Sequence, residues 1–255
     1  MRRDSLRQAA NVLAYVATVV VNVLANALPL NGQTTGEIAN RFPVLIVPAG
    51  YVFSIWGVIY LFLGAFVVYQ ALPRQRENPY LQRIGYLFVL ASAANIAWLF
   101  FWHYNLFVLS LVAMLTLLGS LIAIYLRLGI GRVRTSTAEK WLVQIPFSIY
   151  LGWITVATIT NVAVVLFVLN WDQFGLSAET WTVIVLFVGA GIASAVAATR
   201  ADIAYVLVIL WAYAGIAVRQ QANAAIVTAT GVAAGIVLIV LIVTLLLRWR
   251  RTSRA

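Results

Sequence analysis

The chain contains no cysteine and a single histidine, His103. The first absence excludes disulfides, thiol chemistry and thiolate metal sites. The second leaves no imidazole cluster for a metal such as zinc. Charge is scarce as well: 9% of the 255 residues are Asp, Glu, Lys or Arg, where a soluble domain carries about 25%. Acids are the rarest, seven against 17 bases. None falls in the core of an apolar run, so no embedded carboxylate is on hand to relay protons or couple ions. The basic start Met1–Arg7 leads into an apolar run, but no small-x-small cleavage site follows before Pro29. That run therefore reads as a retained helix, not a cleaved signal.

Hydrophobic residues fill the space that charge leaves, at 64% of the chain. They are gathered into eight runs, at 9–28, 44–69, 84–102, 105–126, 141–169, 181–199, 201–218 and 224–247. Each approaches the roughly 20 residues that a helix needs to cross a hydrocarbon core. The expected fold class is an all-α, polytopic integral membrane bundle of eight transmembrane helices. The net charge of +10 could suggest nucleic acid, but its placement argues against that. With the N-terminus assigned to the inner side and sides alternating, 15 of the 17 basic residues fall inside; only Arg41 and Arg219 fall outside. This is the positive-inside pattern, with both termini cytoplasmic. Nucleic acid is not an expected partner; membrane lipid is, with anionic headgroups attracted secondarily.

Texture divides the chain into 1–171, rich in aromatic residues, and 172–255, rich in Gly, Ala and Val with a basic tail. Small residues let membrane helices approach closely, and Gly231-x-x-x-Gly235 is one such face. The segment 30–43 is the longest outer loop and reads as a lid or an ordered external loop. Asp202 beside Arg200 reads as a surface pair at the turn between the sixth and seventh runs, and His103 as an interfacial residue.

Three constellations carry the functional reading. Phe53, Trp56 and Tyr60 share one helical face. They could line a pocket for a flat apolar ligand, or simply pack between helices. Asn95-x-x-Trp98-x-Phe100-Phe101-Trp102 places an amide inside an apolar span, where it needs a partner on another helix or on a ligand. Trp153, Ala157 and Asn161 follow i, i+4, i+8 spacing, with a notch at Ala157 between a ring and an amide. Pro146, seven residues earlier, can kink the helix and widen the bundle. A ligand slot and tight helix packing both fit this face.

In this order, the constellations resemble the tryptophan-rich sensory protein family, also called the translocator protein or peripheral benzodiazepine receptor family. The resemblance covers about residues 9–171. It rests on Pro48, Gly50-Tyr51-Val52-Phe53, Trp56-x-x-x-Tyr60, Asn95-x-x-Trp98-x-x-Phe101, Pro146 and Trp153-Ile154-Thr155-Val156-Ala157-x-x-x-Asn161. Tyr51 stands where tryptophan is usual, Phe53 and Trp56 are one residue closer than is common, and Pro146 is seven rather than four residues before Trp153. Members of that family are five-helix membrane proteins, often dimers. They bind porphyrins, sterols or drug-like molecules between helices beneath a long first loop, and in bacteria they are linked to tetrapyrrole and stress signalling.

The resemblance implies a five-helix core with a three-helix extension, located in a bacterial cytoplasmic membrane, with a homodimer as the implied assembly. It implies no enzyme activity and no obligatory cofactor. The implied function is sensory or regulatory binding of a hydrophobic planar molecule such as a porphyrin or other tetrapyrrole. The ligand-binding residues would be Trp56, Tyr60, Asn95, Trp98, Trp153, Ala157 and Asn161. Two alternatives remain open at this point: a small-molecule transporter or exporter, and a structural membrane subunit.

Overall fold

Inside a bilayer every backbone amide must be paired without water, and a single segment achieves this only as a helix. The protein, seen as a computed structural model, is described over residues 2–28 and 30–253; Pro29, where the first run was expected to end, lies outside the described residues. Every regular element among the described residues is helical. Eight helices dominate: α1 (Arg2–Ala27), α2 (Ile55–Ala71), α3 (Leu87–His103), α4 (Phe107–Leu128), α5 (Ile145–Val168), α6 (Ala178–Arg200), α7 (Ile203–Arg219) and α8 (Ala224–Thr252). Their number and order follow the eight apolar runs. Among the described residues, six continuous helical stretches are long and apolar enough to cross a membrane, whereas α3 and α7 are apolar helices of 17 residues.

Local chemistry sets the helix ends. Ser177, Asp202 and Asn223 each accept a hydrogen bond from a backbone N–H in the first turn of α6, α7 and α8, as N-caps do. Gly129 ends α4 in a left-handed conformation, φ 62°, a standard way to stop a helix. Pro146, expected to be able to kink its helix, stands within the continuous helical stretch Thr137–Val168. It lies in the first turn of α5, behind a π-helical turn at Lys140–Gln144, with Ile145 N–H bonded to Lys140 O. The wider turn and the helix start together accommodate the missing proline N–H.

Helix α1 carries a feature that hydropathy hides. Gln8, Asn11, Tyr15, Thr18 and Asn22 recur at helical spacing, so they share one face. That face turns inward. Gln8 Nε2 donates to Gln70 O at 2.6 Å, and Asn11 Nδ2 to Gln70 Oε1 at 3.3 Å. The Tyr15 hydroxyl donates to Tyr60 O at 2.9 Å. A Cβ on Gly64 would lie 2.6 Å from that hydroxyl, so the glycine makes room for it. α1 therefore presents apolar side chains outward and fastens itself to α2 and α3 through polar ones, an arrangement suited to lipid surroundings.

In the bundle, α3 packs on α4, α4 on α5, and α1 on both α2 and α3; α7 joins α5 to α8, and α6 lies along α8. The small residues of the C-terminal part are used selectively. A Cβ on Gly215 would meet Val52 Cγ2 at 2.1 Å, and one on Gly189 the Tyr213 hydroxyl at 2.7 Å. These glycines admit close contacts. Gly231 and Gly235 do not, since a Cβ there meets nothing within 4 Å. The inward face of α8 is instead Ile226, Ala233, Val237 and Leu241.

Asp202 departs most from expectation. It is buried rather than a surface partner of Arg200. Its Oδ2 accepts from the Tyr125 hydroxyl at 2.8 Å and Ser148 Oγ at 2.6 Å, and its Oδ1 accepts from Tyr205 N–H at 3.1 Å. The carboxylate thus ties α4 and α5 to the start of α7.

Candidate functional site

A narrow slot lies beneath the segment that joins α1 to α2. Its walls are Thr35 and Ala39 of the joining segment, Pro48 and Phe53 ahead of α2, Trp56 of α2, Trp98 and Trp102 of α3, and Trp153, Val156, Ala157, Thr160 and Asn161 of α5. The rings contact one another edge to face, the favourable arrangement for aromatic quadrupoles. Trp153 meets Phe53 at 5.8 Å and Trp56 at 6.2 Å between centroids. Trp98 and Trp102 stack at 5.7 Å, as do Trp56 and Tyr60 at 5.5 Å. The cavity that remains is about 40 Å³.

Of the seven residues singled out by sequence, five line this cavity: Trp56, Trp98, Trp153, Ala157 and Asn161. Tyr60 and Asn95 are placed otherwise. Tyr60 supports the ring of Trp56 from behind. Asn95, fully buried, accepts from Asn22 Nδ2 at 2.8 Å and has the Tyr150 hydroxyl beside it, while its own Nδ2 lacks a hydrogen bond of ordinary geometry. Its amide serves as a clamp between α3 and α1. Asn161 is also committed: Oδ1 accepts from Trp98 Nε1 at 3.1 Å, and Nδ2 donates to Ser110 Oγ at 3.1 Å.

Two polar groups on the wall have no hydrogen-bond partner among the described residues. Trp153 Nε1 and Thr160 Oγ1 are both buried without a hydrogen bond. A buried unpaired donor costs about 1–3 kcal/mol, so each is a place where a ligand atom would be favoured. Sequence pattern pointed to Trp153 but not to Thr160, although Thr160 is one helical turn after Ala157 and directly precedes Asn161.

The lid is ordered by specific bonds. Its short helix Thr35–Asn40 is opened by a capping box in which Thr34 and Glu37 serve each other. Those hydrogen bonds, from the Thr34 backbone first and its side chain second, hold the Glu37 carboxyl below the usual carboxylate range. The buried His103, expected at an interface, is the anchor. Its Nδ1 lies 3.0 Å from Leu30 O and its Nε2 lies 3.0 Å from Thr35 Oγ1. A carbonyl only accepts, so Nδ1 donates to Leu30 O, and the Thr35 hydroxyl, which can donate or accept, completes the ring's second bond at Nε2. Asn31 Nδ2 donates to His103 O at 3.0 Å, and Arg41 hydrogen-bonds Asn105. The lid is thereby fastened to the end of α3, directly over the slot.

An all-helical bundle of apolar helices with an aromatic slot under a first-loop lid defines the class. The model of the family described as TSPO-like protein matches residues 8–244. The chain belongs to this TSPO-like family of membrane proteins. The match extends beyond the motif-bearing stretch 9–171 and takes in α6, α7 and most of α8. Comparison with curated protein sequences and with solved structures gives no match.

Proposed function

We propose that the protein is a sensory or regulatory receptor that binds a hydrophobic planar ligand, such as a porphyrin or another tetrapyrrole, between α2, α3 and α5 without transforming it. The observation that carries this reading is the pair of unpartnered groups, Trp153 Nε1 and Thr160 Oγ1, on the wall of an aromatic slot. Aromatic faces would supply most of the affinity, and those two groups would orient the ligand. Drug-sized ligands occupy roughly 300–1,000 Å³, so a cavity of about 40 Å³ is a closed state. Entry then requires the lid to lift from His103 and the ring of Trp56 or Trp98 to turn. In this reading residues 1–171 form the receptor core and 172–255 a membrane extension that supports it.

A second reading, small-molecule transport, is favoured by one observation: the buried carboxylate Asp202 lines a much larger cavity at the other end of the bundle. Liposomes containing the purified protein separate the two readings. Protoporphyrin should bind saturably, and its internal concentration should not rise under a proton or sodium gradient. Gradient-dependent accumulation that needs the protein would establish transport and overturn the receptor reading.

The receptor reading includes eight spans with both termini cytoplasmic. At 1.5 Å per residue, α3 and α7 are about 25 Å long, close to a hydrocarbon core of about 30 Å. Each runs beside longer neighbours. Because the chain lacks cysteine, single-cysteine variants label cleanly. An impermeant maleimide on intact cells should reach Leu176→Cys and spare Thr137→Cys, both exposed positions. The opposite labelling would invert the topology, and labelling of both would break the even count.

A further inference from the structure

We propose that a second cavity, at the basic end of the bundle, is a site for one anionic phospholipid of the surrounding bilayer. The phosphate would be held by Arg132, Arg134 and Lys140, and an acyl chain would lie between α2, α5 and α7. This rests on the chain lying in a bilayer and not on the aromatic slot, with which the cavity shares no lining residue.

The cavity measures about 970 Å³. At one end α7 touches the turn ahead of α2, where Ala49 N–H bonds Gly215 O at 3.0 Å; the cavity is lined by Ile55 and Val58 of α2 and by Ile203, Ala204, Leu207 and Val208 of α7. Val58 and Leu207 line it from α2 and α7, and Ile145 and Ile149 line it from α5. Val58 is 42% exposed and Leu207 55%. In a helix whose neighbours are apolar, such exposure places the groove open to the hydrocarbon. From Lys140 to Ile149 the wall rises nine residues, about 13 Å, close to the roughly 15 Å of one leaflet's hydrocarbon.

The mouth supplies the charge complement. Five cations line it, Arg132, Arg134, Lys140, Arg200 and Arg248, against one acid, Asp202. Two of the cations have structural bonds. Arg200 donates to Ile130 O at 3.2 Å and lies over the Tyr125 ring, and Arg248 donates to Gly131 O at 3.1 Å and Thr199 O at 3.2 Å. These bonds brace the α4–α5 loop against the α6–α7 turn. Gly131 permits the contact: its φ is +76°, and a Cβ there would lie 2.2 Å from Arg200 O. The brace leaves Arg132, Arg134 and Lys140 exposed, with no ion pair or side-chain hydrogen bond among the described residues. The nearby acids do not neutralise them. Asp202 is buried and occupied by Tyr125, Ser148 and the backbone of Tyr205, and Glu139 accepts from Asn78 and Ser136. A soluble anion would satisfy these cations but leave the apolar groove below them unfilled. An anionic lipid fits both parts, with its phosphate at headgroup depth and its chain in the groove.

The test uses the full-length protein released from mixed vesicles into mild detergent, with retained lipid read by native mass spectrometry. Dioleoyl phosphatidylglycerol should be retained over dioleoyl phosphatidylcholine by about fivefold or more, the ratio that one basic residue's attraction to anionic lipid provides. Arg132→Gln/Arg134→Gln/Lys140→Gln should abolish that preference. The control Arg74→Gln/Arg83→Gln, at the same end but outside the cavity, should keep it. Val58→Trp/Leu207→Trp, which fills the groove from its exposed rim, should lower retention of both lipids, and glycerol 3-phosphate should not compete. Equal retention of the two lipids by the wild type, or a preference that survives the triple change, would overturn the site. Displacement by glycerol 3-phosphate would also overturn it, by showing an anion site without a chain groove.

Discussion

Asp202→Ala is expected to be the most destabilising single change in the protein, by about 3–5 kcal/mol. Three donors converge on this carboxylate: the Tyr125 hydroxyl, Ser148 Oγ and the N–H of Tyr205. All three residues are buried, and they belong to three different helices. Alanine would leave each of these buried groups without its acceptor, and would also remove the N-cap of α7. Asp202→Asn keeps the shape and one acceptor oxygen. The Tyr125 and Ser148 hydroxyls can rotate to accept from the new amide, so the loss should be nearer 1 kcal/mol. The ordering of wild type, Asn and Ala in thermal unfolding of the detergent-solubilised protein measures this. Arg200→Gln serves as the comparison. It removes one hydrogen bond to Ile130 O and the contact over Tyr125, so it should cost less than Asp202→Ala. If alanine at 202 unfolded with the wild type, the clamp would have no energetic role.

The same residue marks the limit of what the sequence could disclose. Arg200 and Asp202 were visible as neighbours at a turn, and opposite charges at a turn ordinarily pair in water. The true partners stand 77 and 54 residues away along the chain. Periodicity within one helix does not reveal which helix will face it. The same limit applied to Asn95. A buried amide in an apolar span demanded a partner, but spacing could not choose between a ligand and Asn22 on α1.

By contrast, whatever one helix determines alone was legible. Each apolar run became a helix, six of them in stretches long and apolar enough to span a membrane among the described residues, and i, i+4, i+8 spacing placed Trp153, Ala157 and Asn161 on one wall. The polar stripe on α1 was also present in the spacing, but averaging hydropathy over the run concealed it. The glycine motif on α8 was legible as a motif, but within the chain it makes no close contact. Close approach is needed only where a neighbour is close, and α8 meets α6 and α7 through other residues.

Two substitutions in the aromatic slot should separate a binding site from mere packing. In Trp153→Phe, an aromatic ring stays while the unpartnered Nε1–H disappears. In the free protein that N–H is a buried donor without an acceptor, so its removal relieves a desolvation cost and offsets the smaller ring. Stability should therefore change little. A ligand that accepts from this N–H would lose about 1 kcal/mol, or about fivefold in affinity. Ala157→Phe acts by volume instead. A benzyl group cannot fit a cavity of about 40 Å³ without displacing the surrounding rings, and it occupies the space a planar ligand must open. Protoporphyrin binding should fall by more than about tenfold, with a stability cost of about 1–3 kcal/mol from overpacking. Tryptophan-fluorescence titration of the folded, monodisperse variants reads the affinities, and thermal unfolding reads the stabilities. Packing alone predicts that both variants change stability and neither changes binding selectively. Trp153→Phe is the more informative arm, because an interior held only by packing gives no reason for affinity to fall while stability holds. Titrations that match the wild type in both folded variants would remove Trp153 and Ala157 from the ligand site.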